Sequence, residues 1–378
     1  MKRESKTNYK FDFCSGIEGF QARSMTIFSD QIRNEFIRQG VSFNEIKIDV
    51  SAWLPRGITG TIIGAFIRYF IYPLKVLVKH KTNNIFISDS ANASISTFLP
   101  KRKFNTVIFL HGLAYQIHHK DLDINADFKD RLIYFFSRLI KRPGLIKSNA
   151  IIANSQRGMD DYKNNLNPPA TQSISYIPLG IDTSFKPVDT TYLRIKLGIA
   201  DNERVILSVA APDLRKNISI LPEVFAGFKN NFPWKWIHIG GLHPSTFERI
   251  PPWLQNKLLN LELVPHSEMP TYYSMADVFV LPTLYDTFGW PPIEAAACGC
   301  PVVVSDIKPI SENLENIAVL VDPRDKQTIT KSMIKILTDP GFSRELKRKG
   351  LEVQKKFDWA HTSQHILDII ENTGQHTP

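Results

Sequence analysis

Cysteine is scarce in this sequence. Cys14, Cys298 and Cys300 are the three cysteines among 378 residues. The odd number excludes a fully paired disulfide framework, and the close pair lies in an apolar stretch that does not resemble a metal knuckle. We therefore expect free, buried thiols in a reducing compartment. The start, MKRESKTNYK, leads into FDFCSGIEGF and not into an apolar run with a cleavage site, so we expect no secretory signal and a cytoplasmic protein.

Other absences also limit the possible functions. No stretch matches the full G-x-G-x-x-G pattern of dinucleotide-binding enzymes, and the sequence shows neither an internal repeat nor a low-complexity tract. One apolar run, ITGTIIGAFIRYFIYPLKVLV at 58–78, has the length of a membrane span. It contains Arg68, Pro73 and Lys75, which a spanning helix tolerates poorly. We predict an amphipathic surface helix here, kinked near Pro73.

Length and charge give broader expectations. A chain of 378 residues is longer than single hydrophobic cores usually reach, so we expect two domains. Lys and Arg number 46 against 37 Asp and Glu, a net charge of +9. This excess favours an anionic partner such as a nucleotide, a nucleic acid or an acidic membrane surface. It is equally compatible with a simple role in solubility.

Short apolar runs alternate with segments of helical length along the chain. The first of the helical segments is predicted at 22–39. The alternation of strands and helices indicates parallel sheets covered by helices on both faces. The predicted strands are Tyr9–Cys14, Glu45–Val50, Asn84–Ser88, Thr106–His111, Ala150–Ser155, Ser173–Pro178, Val205–Val209, Trp236–Ile239, Leu261–Val264, Asp277–Leu281 and Pro301–Ser305. After 306 the pattern completes a second half of six strands.

The stretch 277–306 is the most informative. Its pattern predicts a strand, a loop, a helix and a second strand. The helix should begin near Trp290, because Pro291 and Pro292 are tolerated only in the first turn of a helix. This arrangement places a helix N-terminus at the carboxyl edge of a parallel sheet, where phosphates are commonly bound. Asp286 and Glu294 flank Phe288 and Gly289. A carboxylate would repel a phosphate, so we expect both acids to bind hydroxyl groups.

The run YDTFGWPPIEAAACGCPVV resembles the signature of glycosyltransferase family 4, the group 1 glycosyltransferases. The resemblance implies a GT-B fold, in which two Rossmann-like domains face each other across a cleft, and a retaining nucleotide-sugar enzyme. It implies that Asp286 contacts the donor sugar, that the Phe288–Gly289 backbone approaches the diphosphate and that Glu294 holds the ribose. Asp286 departs from the family pattern, which has Glu at this position.

In the first domain, the resemblance extends to a glycine-containing turn. Ser15 to Gly19 follows the first predicted strand, and the family has a Gly-Gly loop at this place below the donor phosphates. Gly16 and Gly19 are the candidates for that role, although Glu18 interrupts the glycine pair. Glycine here would allow the backbone to approach a ligand closely.

His111 is the candidate catalytic residue of the first domain. It ends an apolar strand and precedes Gly112, and open α/β sheets present ligand-contacting side chains at such positions. The family has a His at a comparable strand end, facing the donor sugar. His118 and His119 remain alternatives.

The second domain supplies the basic candidates. Arg215 and Lys216 precede a predicted helix, and an Arg can contact phosphate through two parallel hydrogen bonds while Lys contributes a point charge. Ala210 stands where the family has Arg, and the Arg-Lys pair resembles a subgroup that includes bacterial mannosyltransferases. Val264 corresponds to the family segment that lies under the nucleobase.

A polar, proline-marked linker begins at Phe185 and predicts two domains, 1–185 and 186–358. The resemblance implies a closing helix at 359–378 that returns to the first domain. It implies transfer of a hexose or deoxyhexose from a nucleoside diphosphate to a glycan or lipid-linked glycan acceptor, in surface polysaccharide or glycolipid assembly. No metal cofactor and no nucleic acid are expected, and contact with the inner face of the plasma membrane is possible. The triplet at Asp121 and Asp123 matches a metal-binding D-x-D pattern but lies in a polar loop, so we reject it.

Two alternative functions stay open. Asp286 and Ala210, where the family has Glu and Arg, would also suit a catalytically silent scaffold. A sugar-nucleotide epimerase could share the fold, changing the donor without an acceptor.

Overall fold

The chain folds into two compact α/β units. The computed structural model describes residues 10–19, 23–55, 57–101, 103–112, 139–228 and 232–374. Described residues of the first unit end at Gly180 and resume at Trp359, whereas the second unit runs from Ile181 to Asp358. The boundary therefore precedes Phe185, which is buried in the second unit.

The first unit is built on a six-stranded sheet in the order β2-β1-β3-β4-β5-β6, with every neighbouring pair parallel. Its strands are β1 Phe11–Glu18, β2 Phe43–Asp49, β3 Asn84–Ile87, β4 Asn105–Leu110, β5 Ala150–Ala153 and β6 Ser173–Tyr176. β4 and β5 are buried along their whole length, as expected for central strands covered by helices on both faces. The six predicted strands of this half are confirmed.

Helices surround this sheet. They span Arg23–Arg38, Gly57–Phe66, Tyr72–Lys79, Ser94–Phe98, Gln156–Leu166 and Trp359–Gly374, with a 3₁₀ turn at Ser90–Asn92. A π-helical segment, Ile67–Ile71, joins the second and third of these. The predicted kink near Pro73 thus takes the form of a widened turn just before a residue that cannot donate a backbone hydrogen bond.

One predicted turn of the first unit is wrong. The sequence suggested that β1 ends at Cys14 and that 15–19 turns, but the strand continues to Glu18. The pairing with β2 shifts between Cys14 and Gly16, so the chain absorbs the extra residue as a β-bulge. Gly16 has a φ of +112°, which explains why a glycine lies inside a strand.

The second unit contains another parallel six-stranded sheet, in the order β12-β11-β10-β7-β8-β9. Its strands are β7 Arg204–Val209, β8 Trp234–Ile239, β9 Leu258–Leu261, β10 Val278–Leu281, β11 Val302–Ser305 and β12 Val319–Val321. The predicted six-strand half is confirmed. The strand predicted at Leu261–Val264 is displaced, because β8 pairs with 258–261 and leaves Leu263 75% exposed.

The helices of this unit are Thr191–Lys196, Leu221–Ala226, Pro244–Phe247, Pro252–Gln255, Met269–Met275, Trp290–Ala297, Ile310–Asn313, Lys326–Thr338 and Pro340–Gly350. Short 3₁₀ turns lie at Leu214–Lys216, Ile218–Ile220, His266–Glu268 and Val353–Lys355. All three cysteines are free and buried, as the sequence predicted. Burial is also the main reason why the pKa of Cys298 is raised to about 12.

Candidate functional site

The loop after β10 leads into the helix that the sequence predicted. The helix begins at Trp290, and Gly289 precedes it in a left-handed conformation with a φ of +89°. A Cβ added to Gly289 would lie 2.9 Å from Cγ1 of Ile310. Any other residue here would therefore face backbone strain and a collision with the next helix.

The first turn of this helix donates few hydrogen bonds. Pro291 and Pro292 occupy its second and third positions, and proline has no backbone N–H. Two of the donors that usually face an anion at a helix N-terminus are thus missing. Neutralisation of a bound phosphate at this edge must depend more on side-chain cations than the sequence reading supposed.

The Phe288 backbone accepts a hydrogen bond from helix Ile310–Asn313. Nδ2 of Asn313 donates to the carbonyl oxygen of Phe288 at 2.8 Å, and the Phe288 ring packs edge-on against Phe357. Asn313 was not among the sequence candidates. Its contact depends on tertiary packing, and no local pattern marks it.

Lys216 and Asp286 form an ion pair at the carboxyl edge of the sheet. Lys216 Nζ lies 2.7 Å from Asp286 Oδ2, and both side chains are largely shielded from solvent. Burial works to raise the pKa of Asp286, but the Lys216 charge and the N–H groups of Lys216, Thr287 and Phe288 together lower it. The carboxylate is therefore charged at neutral pH, and the structure brings two predicted site residues together.

Arg215 is paired within its own turn. Its guanidinium contacts the carboxylate of Asp213, and its Nε lies 3.0 Å from both carboxylate oxygens. The Arg215 carbonyl oxygen accepts from Leu284 N at 2.8 Å and is 3.0 Å from Thr283 Oγ1. These bonds tie the Arg-Lys turn to the loop that carries Asp286.

Glu294 is the fifth of the eight residues of this helix and is half-buried. Its Oε2 accepts a hydrogen bond from the hydroxyl of Tyr273 at 2.9 Å. Tyr273 is fully buried, and burial first, followed by the neighbouring Glu294 charge, raises its pKa well above the ordinary value. Tyr273 therefore stays neutral and orients the carboxylate, a role that sequence reasoning did not find.

Val264 is buried and lies in the segment after β9 rather than in a strand. Directly after β8, a Cβ on Gly240 would lie 2.1 Å from the carbonyl oxygen of Ala210. The turns after β7 and β8 thus pack backbone to backbone, where a side chain at Gly240 could not fit. A small, open pocket lies beside them, and its lining includes Pro212, Asp213, Gly241 and Leu242.

In the first unit, His111 lies at the carboxyl edge directly after β4. Its Nε2 donates to the carbonyl oxygen of Ser88 at 2.8 Å, which leaves Nδ1 as the acceptor nitrogen of the neutral ring. Burial lowers the pKa of His111, and the Asp89 charge and the Ser88 bond only partly oppose this. The pKa of Lys141 is lowered to about 8, first by burial and then by the Arg68 charge. The Asp89 charge partly opposes this shift as well. Asp89, Lys141 and Arg68 were not among the sequence candidates.

Gly16 and Gly19 allow backbone conformations that the first unit requires. The N–H of Gly16 donates to the hydroxyl of Tyr72 at 3.0 Å, so this amide already has a partner inside the unit. Gly19 has a φ of +83°, and a Cβ there would approach Cα of Ser51 to 2.6 Å. Both positions therefore have a structural need for glycine, whether or not they contact a donor.

Among the described residues, no three His, Cys, Asp or Glu side chains come together as a metal site would require. The Asp121 and Asp123 triplet, like His118 and His119, lies outside the described residues.

Residues 189–353 match the family model described as glycosyl transferases group 1. The C-terminal unit belongs to the group 1 glycosyl transferases. This confirms the family predicted from the signature around Phe288. The match begins a few residues after the unit boundary and ends before the closing helix, so it falls on the unit that carries Lys216, Asp286 and Glu294.

The chain is also similar to two Escherichia coli proteins. The chain is 28% identical over 295 residues to the serotype-specific mannosyltransferase WbdA, covering 74% of this chain and 35% of WbdA. It is 34% identical over 111 residues to O-antigen chain mannosyltransferase B, or 29% of each protein. The chain thus spans about a third of the length of these relatives.

Solved structures agree with the predicted GT-B fold. Sucrose-phosphate synthase from Thermosynechococcus elongatus has a TM-score of 0.74 at 20% identity, with 96% of this chain and 98% of that chain covered. WaaG, a glycosyltransferase involved in lipopolysaccharide biosynthesis, has a TM-score of 0.72 at 15% identity, with 95% and 99% covered. At these identities the likeness concerns the fold.

A buried histidine in the second unit should make the stability of that unit depend on pH. Trp236 Nε1 donates to Ser208 Oγ, Ser208 donates to Nδ1 of His238, and His238 Nε2 donates to the Gly241 carbonyl. Protonation of Nδ1 would break this chain of bonds. Burial lowers the pKa of His238 to about 4, from 6.5 in the unfolded chain.

We therefore expect the unfolding free energy to fall as the pH drops from 6.5 towards 4, because the unfolded chain takes up the proton first. The His238 share should be about 2 kcal/mol between pH 7.5 and pH 5. Chemical denaturation at both pH values measures it. His238→Gln should remove this share, whereas Gln at the exposed His365 should leave it. An unchanged pH dependence in His238→Gln would contradict the assignment.

Proposed function

We propose that this protein is a retaining hexosyltransferase that moves a sugar, mannose in the first instance, from a nucleoside diphosphate to an acceptor hydroxyl. The observation that carries the proposal is the ion pair between Lys216 and Asp286, 2.7 Å apart beside the N-terminus of helix Trp290–Ala297. The turn after β7 thus supplies Lys216 as a cation for the leaving diphosphate, and the loop after β10 supplies the Asp286 carboxylate for the sugar hydroxyls. The mannosyltransferase relatives support the choice of sugar.

The chemical task is to stabilise a departing diphosphate and a positively charged sugar. Preorganised charges aimed at the developing negative charge can supply a large part of the rate enhancement. Lys216 and Arg215 are the cations at this edge, and their importance is greater because Pro291 and Pro292 withhold two backbone donors. Since Lys216 and Arg215 are already paired with Asp286 and Asp213, the turn is preorganised before a donor arrives.

The remaining site residues have distinct roles in the proposal. Glu294, oriented by Tyr273, accepts hydrogen bonds from the ribose, and Phe288 and Gly289 bring their backbone close to the diphosphate. Val264 contacts the base. In the first unit, Nδ1 of the neutral His111 ring accepts a hydrogen bond from the donor sugar, since Nε2 is bonded to Ser88. We expect the reaction to need no metal ion and to take place in the cytoplasm.

The direct test is a donor panel. GDP-mannose, UDP-glucose, UDP-galactose and dTDP-rhamnose are incubated with the purified chain, with and without a mannoside acceptor, and nucleoside diphosphate release is measured. Acceptor-dependent release with a product that keeps the anomeric configuration of the donor supports the proposal, and EDTA should not reduce it. Conversion of a donor without acceptor would identify an epimerase. No calorimetric binding of any nucleoside diphosphate would identify a silent scaffold.

Asp286→Glu tests whether this position reads the donor sugar. The added methylene pushes the carboxylate into the space held by Lys216, so we expect about tenfold lower turnover or an altered donor preference. Relative rates across the donor panel measure both effects. Asp277→Glu is the matched control, since Asp277 pairs with Arg204 at 3.0 Å beside the start of β7, at the opposite end of the strand. Unchanged rates and preference in Asp286→Glu would mean that Asp286 does not contact the sugar.

A further inference from the structure

A stripe of apolar side chains lies exposed on the first unit. Ile62, Phe66, Phe70, Leu74 and Val78 recur at every fourth position of the helical run 57–79, and each is between 48 and 78% exposed. Side chains at this spacing lie along one face of a helix. Phe66 and Phe70 stack on each other with ring centroids 5.3 Å apart. We call these five residues the apolar stripe.

The other face of the same run is anchored in the core. Ile67, Tyr72 and Val76 are buried in the hydrophobic cluster of the first unit. The Tyr72 hydroxyl donates to the Ile46 carbonyl at 2.6 Å and accepts from Gly16 N. Turning the apolar stripe inward would withdraw these residues from the core. The stripe therefore remains on the outside of the folded unit.

The charges within the helical run itself are all of one sign. The run 57–79 contains Arg68, Lys75 and Lys79 and neither Asp nor Glu. Trp53, just before the run, is also exposed. Aromatic side chains prefer the membrane–water interface, and lysines and arginines attract anionic headgroups. Bulky apolar residues beside basic residues are typical of helices that lie in a membrane surface.

The run is also long and apolar enough to cross a bilayer, over Thr59–Lys79. A crossing would expose the Tyr72 hydroxyl to lipid and break its two bonds to the sheet. It would also place Arg68, a central residue of the run, in the hydrocarbon. Parallel contact keeps the buried face in the protein and offers only the apolar stripe to lipid.

We propose that the apolar stripe is a docking surface for a bilayer that contains anionic lipid. The helix lies parallel to the membrane with the stripe in the headgroup–acyl boundary, and it offers a contact line of about 24 Å between Ile62 and Val78. Lys79, exposed at the end of the run, meets the lipid phosphates, whereas Lys75 Nζ donates to the Lys47 carbonyl at 2.7 Å. The surface belongs to the first unit and does not depend on the proposed transfer reaction.

Vesicle sedimentation of the full chain tests this surface. The probes are vesicles of phosphatidylcholine with phosphatidylglycerol and vesicles of phosphatidylcholine alone. Wild type should bind the anionic vesicles more tightly, and added salt should weaken the binding. The double variant Phe66→Gln with Phe70→Gln should lose roughly tenfold or more of the affinity. Because both rings are exposed, its melting temperature should stay unchanged.

Matched variants separate the stripe from general surface hydrophobicity. Tyr192 and Ile195 are 76% and 74% exposed on helix Thr191–Lys196 of the other unit, so Gln at both removes a similar apolar area elsewhere. That control should bind like wild type. A second stripe variant, Leu74→Gln with Val78→Gln, should lose affinity as the phenylalanine pair does.

Four results would overturn the proposal. The first is a wild type that binds no vesicles, and the second is equal binding by the stripe and control variants. The third is protein in the membrane fraction of cells that resists extraction by alkaline carbonate, which would indicate a spanning helix. The fourth is a dimer in vesicle-free buffer that Phe66→Gln with Phe70→Gln dissociates, since a second copy would then cover the stripe.

Discussion

Lys216→Ala is expected to lower the rate of sugar transfer by a factor of at least about a hundred, the usual cost of removing one preorganised charge from a leaving group. Lys216 Nζ is held 2.7 Å from Asp286, so its position is set before substrate binds. The two prolines of the adjacent helix leave few backbone donors to take over. Nucleoside diphosphate release at saturating donor and acceptor measures the loss.

The same change also affects the protein itself. Without Lys216, the mostly buried Asp286 carboxylate loses its cation, its pKa rises, and unfolding should become easier by about 1 to 3 kcal/mol. The double variant Lys216→Ala with Asp286→Asn removes the unpaired charge and should recover stability without recovering activity. If activity returns with stability, Lys216 supports the loop and does not act on the diphosphate.

Glu294→Ala should lower transfer by a similar factor, roughly a hundredfold or more. A site built to hydrogen-bond a hydroxyl loses both the bond and the orientation of the ligand when its acceptor is removed. The proposed role of Glu294 is to hold the ribose, so the affinity for the nucleoside diphosphate should fall as well. Calorimetric titration of the variant with the nucleoside diphosphate separates this loss from a loss in the chemical step.

Tyr273→Phe is the control for Glu294. It removes the 2.9 Å bond to the carboxylate but leaves the carboxylate in place. If Glu294 acts on the donor, Tyr273→Phe should reduce binding far less than Glu294→Ala does, and Glu294→Gln should lie between them. Equal losses in Tyr273→Phe and Glu294→Ala, together with equal drops in melting temperature, would show that the Tyr273–Glu294 bond matters only for folding.

Much of the fold could be read from local patterns. β10 and β11 are short, fully buried β-branched or apolar runs, and Pro291 and Pro292 mark where the next helix begins. The errors in strand position arose where the strand preference of single residues disagreed with the pairing between neighbouring strands. Leu263 and Val264 suit a strand as well as Leu258 and Leu259, but β8 has its partners at 258–261. Strand register depends on the neighbouring strand, which a single run of residues does not contain.

The candidate site was only partly visible in the sequence. The signature named Asp286, Phe288, Gly289 and Glu294 because they lie in one short stretch, but their partners are far along the chain. Lys216 meets Asp286 across 70 positions, and Tyr273 and Asn313 reach the site from other helices. Sequence reasoning assigned Lys216 to the diphosphate and Asp286 to the donor sugar. The structure shows that the two side chains form an ion pair with each other.

By itself, the sequence determined the parallel α/β class, the position of the signature helix and its acids, and the transferase family, because these follow from side-chain period, proline placement and one contiguous motif. Tertiary structure alone decided which charges pair, which nitrogen of His111 donates, and which face of the helical run 57–79 remains in solvent. The reason is physical: pairing and burial are properties of groups brought together by folding, and their free energies depend on neighbours that are distant in the chain.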